Sequence, residues 1–155
     1  MWQKKQTIYL FLALVLTIIC LFCPVATFHI VDEKWCGFLV MTNLMKTDFE
    51  GGLDMSVWPM FAVLLLTCPM TIFAIFLYKK RMLQARLCVI NIVLILLWMA
   101  LCAFYVYTYQ TKDEVCHLDM AFSAYLPAIS LILYILARRA IIKDEKQVKT
   151  DRMLK

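Results

Sequence analysis

Glycine is nearly absent from this 155-residue chain: there are three, all between residues 37 and 52. A glycine-rich loop that cradles phosphate at a helix N-terminus is therefore excluded. Charged residues are scarce as well, at 17%, where a soluble domain carries about 25%. The two histidines stand alone in sequence, and no Ser/His/Asp set or tightly spaced group of metal ligands accompanies them. The long apolar runs hold no charge at all, although ion pathways and proton relays through a membrane are normally built on such groups.

What is present is apolar. Hydrophobic residues make up 64% of the chain, against about 45–50% in soluble domains. A domain this small cannot hide the surplus, because much of its surface stays wet. This balance excludes disordered proteins, nucleic-acid-binding domains and disulfide-knotted secreted toxins. The apolar residues come in solid runs and do not alternate, which argues against a membrane β-barrel. Four runs approach the roughly 20 helical residues that cross a hydrocarbon core, at about residues 7–25, 58–78, 87–109 and 121–137. The last is the shortest and borrows Asp119, Met120 and Arg138 by snorkelling.

Cations sort to one side of these spans. Lys4, Lys5, Lys79, Lys80, Arg81, Arg86, Arg138, Arg139, Lys143, Lys146, Lys149, Arg152 and Lys155 are 13 of the 16, and they share a compartment with three acids, a formal +10. Lys34, Lys46 and Lys112 accompany eight acids on the other side, a formal −5. The positive-inside rule places both termini in the cytoplasm. No small-x-small cleavage site follows span one, which therefore reads as an uncleaved signal-anchor. The expected fold is an all-α membrane protein of one domain, residues 1–155. It is a four-transmembrane-helix bundle with both termini inside and a small outer β-hairpin-like cap between helices 1 and 2.

The cap is read from the outer loop, residues 26–57. Thr27–Val31 and Trp35–Met41 are rich in β-branched and aromatic residues and flank the polar Asp32-Glu33-Lys34, which predicts a hairpin. Gly51-Gly52 marks a turn, and Trp58-Pro59 opens span two, since proline suits a first helical turn. The second outer loop, Gln110–Leu118, is expected to be tight. Pro69 and Pro127 fall inside spans two and four, where they predict kinks. Trp2, Tyr9, Trp58, Tyr105, Tyr107 and Tyr109 sit where an interfacial aromatic belt would lie. The tail, residues 138–155, lacks glycine and proline and is expected to prolong span four as a basic helix.

Few groups could carry chemistry. Asn91, helped by Thr67, Thr71, Ser123 and Ser130, is the strongest polar group inside a span and is expected to bond between helices. Cys68, Cys88 and Cys102 behave as small hydrophobes. Cys36 and Cys116 lie in the two outer loops and are the natural pair for a structural disulfide if that side is oxidising. Cys20 and Cys23 form a C-x-x-C near the outer end of span one. With Cys36 and Cys116 they make a pattern that loosely resembles quinone-coupled thiol oxidases of the disulfide-forming pathway. It departs from that family, whose C-x-x-C lies in the first outer loop and whose second outer loop is long and carries two cysteines. His29 and His117 accompany the outer cysteines, but the spacing makes no metal site.

Three stretches carry a closer resemblance: Gln6-Thr-Ile-Tyr-Leu-Phe-Leu-Ala13, Ile75-Phe-Leu-Tyr-Lys-Lys-Arg-Met-Leu-Gln-Ala-Arg-Leu87, and Ala137–Arg152. The Arg81-x-x-Gln84-x-Arg86 pattern and the Lys143-Asp-Glu145 tail are their specific parts. They resemble the uncharacterised four-span bacterial membrane proteins grouped as domain of unknown function 4293. The resemblance implies a small protein of the bacterial cytoplasmic (inner) membrane and supplies no activity. From the residues themselves, Arg81, Gln84 and Arg86 share a compartment with Arg138, Arg139, Asp144, Glu145 and Arg152. Arg–carboxylate forks between the inner loop and the tail helix are expected to lock that end.

The function expected first is a non-enzymatic scaffold or accessory subunit of a larger membrane complex, with two docking surfaces in the outer loop and the charged tail. The alternatives are a quinone-coupled thiol–disulfide oxidoreductase using Cys20/Cys23 and Cys36/Cys116, and a small transporter or channel. No cofactor and no metal are expected. The expected partners are the lipid bilayer and another membrane protein or complex, and no nucleic acid.

Overall fold

Uninterrupted runs of leucine, isoleucine, alanine and methionine favour helix, while the β-branched and aromatic outer loop favours strand. The chain folds accordingly. The computed structural model describes residues 3–32, 35–47, 52–77, 80–112 and 115–154, with backbone alone at 3–5, 30–32, 35–38, 112 and 115–117. The elements run α1 (Gln3–Phe22), β1 (Ala26–Asp32), β2 (Trp35–Met41), β3 (Lys46–Thr47), β4 (Leu53–Asp54), α2 (Trp58–Phe76), α3 (Arg81–Lys112), β5 (Val115–Met120), a 3-10 turn (Phe122–Tyr125) and α4 (Leu126–Met153). Helices α1 and α3 each pack on both α2 and α4, so the bundle closes as a ring.

The bundle is apolar outside and polar at selected points inside. Phe11, Phe73, Phe76, Val93, Phe104 and Ile132 are each more than half exposed, while Thr17, Thr67, Thr71, Asn91 and Ser130 are buried. Small polar side chains between helices and large apolar ones outside are the distribution expected in lipid. Trp58–Phe76, Arg81–Thr111 and Phe122–Met153 are long and apolar enough to cross a membrane, and the apolar helix Gln6–Phe22 is shorter.

An antiparallel sheet caps one end, with strand order β4-β3-β2-β1-β5. The hairpin read from the sequence is its centre, since β1 and β2 pair from Asp32↔Trp35 to Ala26↔Met41. Alternation sets its buried face. Ala26 and Phe28 on β1, with Leu39 and Met41 on β2, pack against Cys20, Val57, Met60, Trp98 and Cys102 at the helix ends. A second apolar cluster (Leu10, Ala74, Cys88, Ile95, Tyr134 and Ile141 among its members) fills the other end.

The second outer segment differs from the expected tight loop. Helix α3 runs on to Lys112, and Val115–Met120 forms β5 along the free edge of β1, with a register shift at His29/Ile30. The apolar Leu118 reaches the core under the sheet, and this burial, which is not local in sequence, stabilises the added strand. Pro127 is likewise corrected: α4 starts at Leu126, so Pro127 stands in the first turn, where its missing N–H costs nothing. Pro69 lies inside α2, and Pro59 opens that helix as expected. The tail from residue 138 onward is helical to Met153. Trp2, Glu33, Lys34 and Gly51, on which expectations above fell, lie outside the described residues.

Sheet and bundle are tied together by a residue the sequence reading passed over. Pro24 lacks an N–H, so the Cys20 carbonyl four residues earlier loses its helical donor. Asn43, fully buried in the turn after β2, donates its Nδ2 to that carbonyl at 2.6 Å. Its Oδ1 accepts the indole N–H of the buried Trp98 on α3 at 3.0 Å. Replacing Asn43 by alanine strands both groups at about 1–3 kcal/mol each. Asn43→Ala is therefore expected to lower stability in detergent by about 2–6 kcal/mol. An unchanged melting temperature would refute the bridge.

Candidate functional site

Polar groups converge at three levels of the bundle. At the end away from the sheet, α4 carries a buried stripe at helical spacing (Ser130, Tyr134, Ala137, Ile141 and Asp144), so Asp144 is turned inward while Glu145 is not. Opposite it on α1 stands Gln6, buried and donating Nε2 to the Asp144 carboxylate. Arg81, the first residue of α3, donates Nη1 to the Asp144 backbone carbonyl at 3.4 Å. Gln84, also on α3, is buried. The tail thus docks through an amide–carboxylate contact and a guanidinium–carbonyl contact, and no Arg–carboxylate fork occurs here among the described residues. Arg86, Arg138 and Arg139 are exposed, and Glu145 lies 3.9 Å from Lys149 on its own helix. Arg152 is exposed beside Lys80, Arg81 and Lys149 along an open groove.

Midway along the bundle, Thr71 Oγ1 is the centre of a network. It donates to the Thr67 carbonyl at 2.7 Å and accepts Nδ2 of Asn91 at 3.2 Å. The Tyr134 hydroxyl lies 2.6 Å away. A hydroxyl has one proton, so Tyr134 is the donor in that contact. Helices α2, α3 and α4 meet there, and Asn91 does bond between helices. Its Oδ1 has no partner among the described residues.

At the sheet end, Ser56 joins Tyr105 and Tyr109 of α3: its carbonyl accepts Tyr105 OH at 3.1 Å, and its hydroxyl lies 2.7 Å from Tyr109 OH. Lys46 Nζ sits 4.4 Å from the Tyr109 ring centroid. These two tyrosines thus anchor the loop to the helix, whereas Tyr107 is 69% exposed. Ser123 donates to the Pro24 carbonyl. On the outward face His29 Nε2 lies 3.1 Å from Asp119, and the register sets His29 opposite His117, whose side chain is outside the described residues. No group of three His, Cys, Asp or Glu suited to a metal ion occurs among the described residues.

The cysteines do not assemble. Cys20, Cys23, Cys68, Cys88 and Cys102 are free, and Cys20 is fully buried. The expected Cys36–Cys116 bridge is not supported. Cys36 lies on β2 and Cys116 on β5, at opposite edges of β1. Two strand spacings amount to about 9.5 Å, beyond the roughly 7 Å that a disulfide tolerates between Cα atoms. The side chains of both lie outside the described residues.

Gln6, Asn43 and Trp98 are the structural residues that sequence reasoning missed. A proline four residues beyond Cys20 and a tryptophan deep inside span three were the signals, each announcing a polar group in need of a partner. Two outcomes test the assignments. Asp144→Ala leaves the Gln6 amide buried without its acceptor and is expected to cost about 1–3 kcal/mol. Arg86→Ala is expected to change stability by less than about 0.5 kcal/mol; equal effects in thermal melts would reverse the assignment. All 7 cysteines are expected to alkylate in denaturant without prior reduction, and a mass gain that requires reductant would reinstate the bridge.

Comparison with curated proteins finds no match to this chain. The family model described as Domain of unknown function (DUF4293) matches residues 2–153. Because that match covers nearly the whole chain, the protein belongs to this uncharacterised family.

Proposed function

We propose that this chain is a multi-pass protein of the bacterial cytoplasmic (inner) membrane, crossing four times with both termini in the cytoplasm. We further propose that it is a non-enzymatic scaffold or accessory subunit of a larger membrane complex. Helix α1 has 20 residues, which at about 1.5 Å each match the roughly 30 Å of a hydrocarbon core. The charge asymmetry supports the orientation, since the sheet end carries the acids and the tail end the cations.

The observation that carries the accessory role is how the interior polar groups are engaged. Thr71, Tyr134, Asn91, Gln6, Asp144, Asn43 and Trp98 bond to one another or to the backbone between helices. Such contacts specify a fixed bundle, and the described cysteines are dispersed through it. What projects from the bundle is a five-stranded sheet at one end and a cationic helix at the other, two surfaces suited to larger partners. No observation favours the thiol-oxidase or transporter alternatives.

The test is extraction of the tagged full chain from its native membrane in mild detergent, followed by native-gel sizing and mass spectrometry. A partner at fixed stoichiometry is expected, and a monodisperse monomer would remove the reading. Reporter fusions test the topology separately: a periplasmic reporter inserted at Gly52 is expected to be active and one at the C-terminus inactive, with the reverse pattern excluding it.

A further inference from the structure

A groove not used by the contacts above lies where the start of α3 meets the tail of α4. This open groove has a volume of about 450 Å³ between Lys80 and Arg81 on one wall and Lys149 and Arg152 on the other, with Glu145 beside Lys149. Four cations against one carboxylate leave a net positive cleft. Lys149 and Arg152 are three residues apart on a helix and so share a face. Arg81 is the first residue of α3, so the positive end of that helix dipole opens into the same space.

The groove's surroundings say what kind of anion fits it. Met82 and Leu83 line it and are 53% and 40% exposed, and Val148 adds an apolar patch on the α4 side. From Met82 and Leu83 the exposed apolar face of α3 continues through Val89, Ile90 and Val93, the surface that meets acyl chains. A free phosphate would use the cations alone. A phospholipid uses both parts, with its phosphate between the cationic walls and its chains along α3. The volume is also several times that of a lone inorganic anion, and basic pockets at the cytoplasmic ends of membrane helices suit lipid headgroups.

We infer that this groove binds the headgroup of an anionic phospholipid, with Lys80, Arg81, Lys149 and Arg152 holding its phosphate. The inference rests on the reading that this end of the bundle lies at the cytoplasmic membrane surface. Bound lipid fastens α4 to the α2–α3 connection from outside, as the Gln6–Asp144 contact does from within.

The test uses the full chain in mild detergent, with phosphatidylglycerol or phosphatidylcholine added and retained lipid read by native mass spectrometry. Wild type is expected to retain phosphatidylglycerol in preference. Lys149→Gln with Arg152→Gln is expected to weaken that retention about tenfold or more. Both residues are exposed, so the fold is expected to survive, checked by an unchanged circular dichroism spectrum and elution volume. Arg139→Gln with Lys146→Gln removes the same charge from exposed positions outside the groove and is expected to retain wild-type binding. Equal retention of the two lipids, or equal loss in both double variants, would overturn the inference. So would displacement of phosphatidylglycerol by inorganic phosphate at matched concentration, which would reassign the groove to a small anion. Retained lipid is read without reference to any protein partner, so failure here leaves the subunit reading intact, and the converse holds.

Discussion

A backbone carbonyl that its own helix cannot satisfy governs how the two parts of this molecule meet. Pro24 stops α1 and withholds the donor that Cys20 would normally receive, in a place where water cannot substitute. Asn43 supplies that donor and takes the Trp98 indole proton with its other end. One amide thereby joins α1, the sheet and α3, and it can do so only if the turn after β2 is tucked beneath the strands. That turn is held by the Thr42–Met45 contacts, and the sheet is held in turn by the apolar face of β1 and β2 on the helix ends. The cap is thus part of the core.

The same rule operates deeper in the bundle. In an apolar surrounding, an unpaired hydroxyl or amide is costly, so the few polar side chains inside the helices seek each other across interfaces. Thr71 serves α2, α3 and α4 at once, and Asp144 collects groups from α1 and α3. Between these layers the contacts are apolar and carry no directional preference. The polar layers therefore set the register of the helices, a specificity role that buried polar groups fill in some helical assemblies.

Much of this was legible because it follows from local pattern. Solid apolar runs without charge define membrane-length helices wherever they occur. The β-branched stretches around Asp32-Glu33-Lys34 define a hairpin, and the register Asp32↔Trp35 agrees. Pro59 after Trp58 marks a helix start through its fixed φ. The strand β5 was not legible, because Val115–Met120 becomes a strand by pairing with residues about ninety positions earlier. The inner-end cluster was half legible. Compartment sorting named Arg81, Gln84, Asp144 and Glu145, but the rotation of α4 decides which acid faces inward: Asp144 is buried and Glu145 only partly so.

From the sequence alone, then, come the lipid-compatible composition, the helices and the hairpin, and the sorting of charge to two ends, since each depends on hydrophobicity, propensity or count. The partners of the polar groups were decided by tertiary structure. Gln6 meets Asp144 across 138 positions and Trp98 meets Asn43 across 55, and no local preference reaches that far. The outer cysteines are the clearest case. Their compartment makes them a natural pair, and the strand order places β1 between them, because β5 finds its unsatisfied backbone edge on the far side of the hairpin.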